Sequence, residues 1–182
     1  MKPYSDSPDG EPMDANIREM KDADGPAVLA IYADGIQTGD ATFDSKPPEW
    51  SIWNQEHLPQ PRLVAQISNE VVGWAALATV SGRCVYGGVA EVSVYVANSA
   101  RGMGIGKRLL LELIESAEAQ GIWTLQAGIF VENQASIALH KSVGFREVGV
   151  RERLGRMSYG ARKDQWRDVL LMEYRSQVVG VD

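Results

Sequence analysis

One cysteine, Cys84, stands in the 182 residues of this chain. A single thiol excludes an intramolecular disulfide and a cysteine-rich metal site, and it fits a reducing compartment. No run approaches 18 consecutive apolar residues, so no membrane-spanning helix is expected. The first 13 residues lack the basic-then-apolar pattern of an export signal and carry Pro3, Pro8 and Pro12. That pattern predicts a cytoplasmic protein with a flexible tail over residues 1–12. Positive charge is scarce too. With 18 Lys and Arg against 24 Asp and Glu, the net charge is -6, which argues against a general binder of nucleic-acid backbones. A small-molecule partner is expected, with neither nucleic acid nor membrane.

What the chain does have is 45% hydrophobic residues, enough at this length for one domain, expected over residues 13–176 with a short tail at 177–182. Asp22 can cap a helix running to about Ala33. Gly35 and Gly39 then open an irregular stretch through Pro47, Pro48, Pro59 and Pro61, with a short helix around Trp50 and Trp53. So long a loop invites a functional explanation. Apolar runs at 62–67 and 71–78 suit a hairpin, and residues 89–96, 122–131, 145–150 and 169–174 read as further strands. Leu109, Leu110, Leu113, Ile114 and Ala117 recur at helical spacing, predicting a helix over 104–120, and Asn133 can cap another through Val143. Hairpins first and strand-helix-strand units later indicate an α/β chain: a mixed, mostly antiparallel sheet with helices on both faces.

Between the strand ending at Val96 and the amphipathic helix lies Arg101-Gly102-Met103-Gly104-Ile105-Gly106-Lys107. A strand, a glycine turn and a helix N-terminus make an anion site, because glycines let backbone N–H groups approach a phosphate and the helix dipole favours its charge. A pyrophosphate is the expected guest. The Walker pattern fails, since Arg101 stands where its first glycine belongs and Arg108 where its hydroxyl belongs. The dinucleotide fingerprint needs GxGxxG where this turn has GxGxG, although Glu132 could imitate the ribose-binding acid.

Arg101-x-x-Gly104-x-Gly106 resembles the coenzyme A signature of the GNAT N-acetyltransferases. The segment from Ser136 to Phe145, with Leu139, His140, Gly144 and Phe145, is similar to that family's A-x-x-L-Y-x-x-x-G-F segment. Glu91-Val92-Ser93-Val94-Tyr95-Val96 resembles a strand of the phosphinothricin and methionine-sulfoximine acetyltransferase branch. The resemblance implies a splayed sheet, acetyl-coenzyme A as co-substrate, an amino-acid-like amine as acceptor, and a homodimer. No metal is implied. The backbone of Val94, Tyr95 and Val96 would follow the pantetheine arm. Amides of Gly102, Met103, Gly104, Ile105, Gly106 and Lys107 would hold the pyrophosphate beside Arg101, with Asn133 starting the next helix.

Acetyl transfer to an amine needs a neutral nitrogen, a polarised carbonyl and a proton for the leaving thiolate. Glu91, Ser93 and Tyr95 alternate with Val92, Val94 and Val96, so Glu91 points away from the valine face and is the candidate base. An N–H near Val94 would polarise the carbonyl. His140 replaces the tyrosine that many relatives use as acid; an imidazole there could be acid, base, partner of Glu91, or a packing group. The resemblance further implies that Phe43, Ser81, Gly82, Arg83, Tyr86, Glu91, Val92 and Ser93 border the substrate, with Arg83 pairing its acidic group. His57 carries no expected role. Trp50, Trp53, Trp123 and Trp166 are expected in the core or an interface, and Arg162-Lys163-Asp164 in a solvated turn.

Overall fold

The computed structural model describes residues 15–181; the expected tail over 1–12 lies outside them. The elements are β1 (Asn16–Glu19), α1 (Gly25–Gln37), α2 (Trp50–Glu56), β2 (Arg62–Ile67), β3 (Glu70–Thr79), β4 (Val89–Val96), α3 (Ile105–Ala119), β5 (Thr124–Phe130), α4 (Gln134–Lys141), β6 (Arg146–Arg156) and β7 (Trp166–Arg175). The seven strands form one open sheet in the order β1-β2-β3-β4-β5-β7-β6. Every pairing is antiparallel except that of β4 with β5.

That parallel pairing holds only at Val89↔Thr124, Ala90↔Leu125 and Glu91↔Gln126. Beyond it β4 stays on β3 as far as Val96↔Gly73, and β5 stays on β7 as far as Phe130↔Val169. The sheet therefore splits after Glu91, giving the splayed mixed sheet that the resemblance implied. The Ala97 N–H donates to the Val72 carbonyl at 2.8 Å. Alternation along an antiparallel ladder then turns the N–H and C=O of Val92, Val94 and Val96 away from β3: the Val92 N–H completes the pairing with Gln126, and the groups beyond it face the split.

Helices cover both faces. On one, Leu109, Leu110 and Leu113 of α3 and Ile137 of α4 pack on Ala75, Leu77, Ala90, Val92, Leu125 and Ala127. On the other, Val28, Ile31 and Tyr32 of α1 and Trp53 of α2 pack on Val64, Trp74 and Ala76. A smaller cluster joins Phe130, Val169, Met157 and Phe43.

Several elements differ from their sequence expectations. Helix α1 starts two residues later than expected, after a 3-10 turn over Asp22–Asp24, and Asp22 does not cap it. Asp24 does the local work, accepting from both Arg18 N–H groups at 2.8 Å and from the Lys21 amide at 2.7 Å. The helix then runs through Gly35, because a Cβ there would sit 2.7 Å from the Tyr95 ring; this glycine serves packing rather than termination. Strand β1 was not expected, since only Ile17 marks it as apolar. Strands β6 and β7 are longer than their apolar stretches. Trp53 is buried and stacks on Trp50 at 4.8 Å, whereas Trp166 is 60% exposed. Among the described residues no helix is long and apolar enough to cross a membrane.

Candidate active site

The split in the sheet opens a cleft of about 870 Å³. Val94, Tyr95, Val96, Arg101, Gly102, Gly104, Ile105, Gly106, Lys107 and Asn133 line it. Met103, 42% exposed, does not. Gly102 and Gly104 have φ of 80° and 76°, a region costly for side-chain-bearing residues, and Gly104 is the N-cap of α3. No backbone carbonyl among the described residues accepts from the amides of 102–107. These are the free donors of a helix start. Nothing lies within 4 Å of a Cβ built at Gly102 or Gly104, so the turn is open toward a ligand. Donors, open space and two cations fit a pyrophosphate. Gly106 has a different duty: a Cβ there would lie 3.0 Å from Leu139 Cδ2, so it permits α3 to approach α4.

Asn133 caps α4 as expected, accepting from the Ser136 amide at 3.1 Å, and its Nδ2 donates to the Asp40 carbonyl at 3.0 Å. One turn on, His140 is 2% exposed and lines the cleft. Its Nδ1 lies 2.8 Å from the Ser136 carbonyl, an acceptor that requires Nδ1 to carry the proton. Nε2 is then an acceptor, buried and without a partner among the described residues. Burial pushes the imidazole below its ordinary pKa, only partly opposed by the Ser136 bond, so His140 is neutral at pH 7.

The opposite flank is assembled from remote segments. Glu91, Val92, Ser93 and Phe43 line the cleft, as do Tyr32, Thr42, Arg151, Leu154 and Val169. Gly128 is the floor beside the carboxylate: a Cβ there would lie 3.9 Å from Glu91 Oε1 and 3.3 Å from Val169 Cγ1. Gly155 lets Phe43 settle, since a Cβ would lie 2.7 Å from its ring. Tyr32 donates to Asp44 Oδ2 at 2.5 Å. Burial first, then the Asp44 carboxylate, pushes the Tyr32 phenol up, so it stays protonated.

One buried cation ties this flank together. Arg167, 1% exposed, lies 3.9 Å over the Phe130 ring and donates to Gly39 O at 2.9 Å, Asp40 Oδ1 at 2.8 Å and Glu132 Oε2 at 3.0 Å. Arg162 adds contacts to Asp40 at 3.1 Å and Glu132 at 3.5 Å. The expected solvated turn is present, with Lys163 and Asp164 exposed, but Arg162 reaches from it into the ion network, and Glu132 is engaged rather than free to meet a ribose.

The structure does not bring Ser81, Gly82, Arg83 or Tyr86 to the cleft. Their loop precedes β4 at the end where β4 is still paired with β5, away from the split. Its exposed short helix Cys84–Tyr86 carries Tyr86, and the Arg83 guanidinium lies 5.7 Å from that ring. Sequence reasoning missed Gly128, Arg151 and Arg167. No local pattern marks them; only the register across β5, β7 and β6 puts them together.

The model of the acetyltransferase (GNAT) family matches residues 27–145. An L-methionine sulfoximine/L-methionine sulfone acetyltransferase of Pseudomonas paraeruginosa is 35% identical, over 88% of this chain and 94% of its own. The solved structure of a ribosomal-protein-alanine N-acetyltransferase from Brucella melitensis is 37% identical with a TM-score of 0.79, covering 88% of this chain and 99% of its own. A phosphinothricin acetyltransferase from Sinorhizobium meliloti, solved with acetyl-coenzyme A, is 28% identical with a TM-score of 0.81, over 92% and 91%.

Proposed function

The chain belongs to the acetyltransferase (GNAT) family, and from that premise we propose that this acetyl-coenzyme A-dependent N-acetyltransferase acts on the α-amine of a small amino acid or analogue. Methionine sulfoximine and phosphinothricin are the expected types, after the relatives that bear those names. The observation that carries the reading is one cleft with a phosphate-type glycine turn on one flank and the Glu91 carboxylate on the other.

Acetyl-coenzyme A, when bound, supplies an activated thioester. Amides of 102–107, with Arg101 and Lys107, hold its pyrophosphate. The split-facing backbone of Val94 and Val96 pairs its pantetheine arm, and the Val94 N–H polarises the carbonyl. Glu91 takes the ammonium proton through a water, and Phe43, Val92 and Ser93 border the amine. His140 has no proton to give at Nε2 at neutral pH, so it acts as an acceptor on the cofactor flank and not as the acid; the second amine proton, released as the C–S bond breaks, neutralises the leaving thiolate.

A protein α-amine is the second reading, favoured by the likeness to the ribosomal-protein-alanine N-acetyltransferase. A thiol-release assay with methionine sulfoximine, phosphinothricin and an alanine-terminated peptide decides between them. Turnover of the amino-acid analogues at far higher kcat/KM is expected; preference for the peptide would reverse the assignment. We read the enzyme as a cytoplasmic homodimer. The exposed thiol of Cys84 suits a reducing compartment, and exposed Val148 and Val150 on the edge strand β6, with exposed Trp166 on the neighbouring β7, offer apolar surface to a second copy. Light scattering tests the dimer.

A further inference from the structure

We propose that Arg151, on the edge strand β6, pairs with the carboxylate of the amino-acid substrate and sets the preference for amino acids over plain amines. The inference rests on the reading just given, and it names the residue that recognises the substrate class.

The cleft holds three lysine and arginine side chains. Arg101 and Lys107 belong to the glycine turn. Arg151 lies at the other end, on the flank that carries Glu91. Its register partner on β7 is Val169. Val169 touches the Cβ position of Gly128, and that position is also the neighbour of Glu91 Oε1. Glu91, Gly128, Val169 and Arg151 thus form a line across four adjacent strands on one face. Adjacent strands are about 4.8 Å apart. The middle of the line is a glycine and a valine, so no polar side chain intervenes between carboxylate and guanidinium. An α-amino acid laid along it would bring its nitrogen to Glu91 and its carboxylate to Arg151, leaving Phe43 and Leu154 for its side chain.

Arg151 is also unspent. Arg146, Arg156, Arg162 and Arg167, from the same two strands and the turn between them, all hold carboxylates. Arg151 makes no side-chain hydrogen bond or ion pair among the described residues. The nearby acids Asp40 and Glu132 do not compete for it, because Arg167 and Arg162 occupy them. Arg151 stands where an irregularity begins: the β6–β7 register shifts between Arg151 and Gly155, where Arg153 has φ of 48° and its amide donates to Asp168 Oδ1 at 2.8 Å. Such bulges re-aim side chains at the rims of sites. A guanidinium offers a carboxylate two parallel donors, which an ammonium cannot. Arg83, by contrast, stands outside the cleft against Tyr86.

The test is a ratio of specificity constants for methionine sulfone and for 3-(methylsulfonyl)propylamine, the same molecule without its carboxylate. Wild type, Arg151→Gln, Arg151→Lys and Arg83→Gln are compared, with acetyl-coenzyme A affinity by calorimetry reporting that each variant is folded. A charge-assisted hydrogen bond predicts a loss of roughly 10-fold to 150-fold for the amino acid in Arg151→Gln. That loss should fall mainly in KM, with the plain amine unaffected, partial recovery in Arg151→Lys and no change in Arg83→Gln. Equal losses on both substrates, no loss at all, or the loss appearing in Arg83→Gln would each overturn the assignment to Arg151 while leaving the amino-acid reading in place. A wild type that acetylates only the plain amine or only a peptide would overturn that reading, and the inference with it.

Discussion

On the α3–α4 flank of the cleft, the ligand-facing groups come from one nearly continuous stretch, residues 94–107, and from the helix capped by Asn133. On the α1–β6–β7 flank they come from segments far apart in the chain: 40–43, 91–93, Gly128, Arg151, Leu154 and Val169. The first flank offers mainly backbone donors, whose placement depends on glycine φ values and a helix start. The second offers side chains, whose placement depends on strand register. A backbone site tolerates much sequence change around it and suits a ligand common to many relatives. A side-chain site changes with single substitutions, and so is where substrates are distinguished.

The sharpest way to test that contrast is to damage each flank separately. Glu91→Gln should lower turnover at pH 7 by roughly 10²-fold to 10⁴-fold, the usual worth of a positioned base, with acetyl-coenzyme A affinity unchanged and partial recovery at high pH. Normal turnover would make Glu91 structural. The reciprocal change, Gly104→Val, forces a β-branched residue to φ of 76°, a strain of about 1–3 kcal/mol. Calorimetry should show acetyl-coenzyme A binding weakened about 10-fold or more; unchanged affinity in a folded variant would remove the turn from the cofactor site.

Arg167→Met asks whether the second flank is held by its buried cation. Breaking a buried ion pair costs about 3–5 kcal/mol, but its acidic partners, 36% exposed, are partly solvated, which brings the expectation to about 1–3 kcal/mol. Thermal unfolding should fall by several degrees, at about 2–4 °C per kcal/mol for this size. The KM for the amine should rise while acetyl-coenzyme A affinity holds. A rise in both constants together would mean that the flanks are one unit. The smallest effect belongs to His140→Asn. Burial depresses the folded-state pKa of His140, so the stability it contributes is present above about pH 6.5, its unfolded value, and is lost as pH falls through the folded one. Denaturant melts at pH 7.5 and pH 5 should show a shallower acid loss in the variant. The slope should not vanish, because burial depresses His57 too. Turnover should fall by less than about 10²-fold, and a wild-type rate and pH profile would leave His140 as packing alone.

The same contrast explains what was legible. The coenzyme turn could be read because its glycines, its arginine and the helix after it are contiguous, and the Asn133 cap is a local device. Even there, the contact that keeps position 106 a glycine, the approach of Leu139, does not show in the turn's spacing. On the other flank Glu91 was readable from strand alternation, and Phe43, Val92 and Ser93 only through the family resemblance. Arg83 drew attention because its loop leads into the strand of Glu91, yet nearness in sequence along an extended strand becomes distance in space. Arg151 lay in a charged run, Arg151-Glu152-Arg153, with no apolar alternation to mark a strand. Its facing emerges only from the bulge and from pairing with β7. Gly35 and Asp22 show the same competition inside the fold: local breaker and cap signals yielded to the Tyr95 ring and to the Arg18 pair.

The premature end of the parallel ladder at Glu91 leaves the protein with sheet edges inside as well as outside. From the Val92 carbonyl through Val94 and Val96 the backbone is as unpaired as that of any outer strand, and an unpaired edge is an invitation to another strand. Here the invitation is issued between two halves of one sheet, where α3 and α4 flank it. An amide-bearing arm that enters completes the sheet as a surrogate strand. Amide hydrogen exchange would then slow on acetyl-coenzyme A binding at split-facing Val94 and Val96, and stay as it was at Ser93 and Tyr95, whose amides already belong to β3.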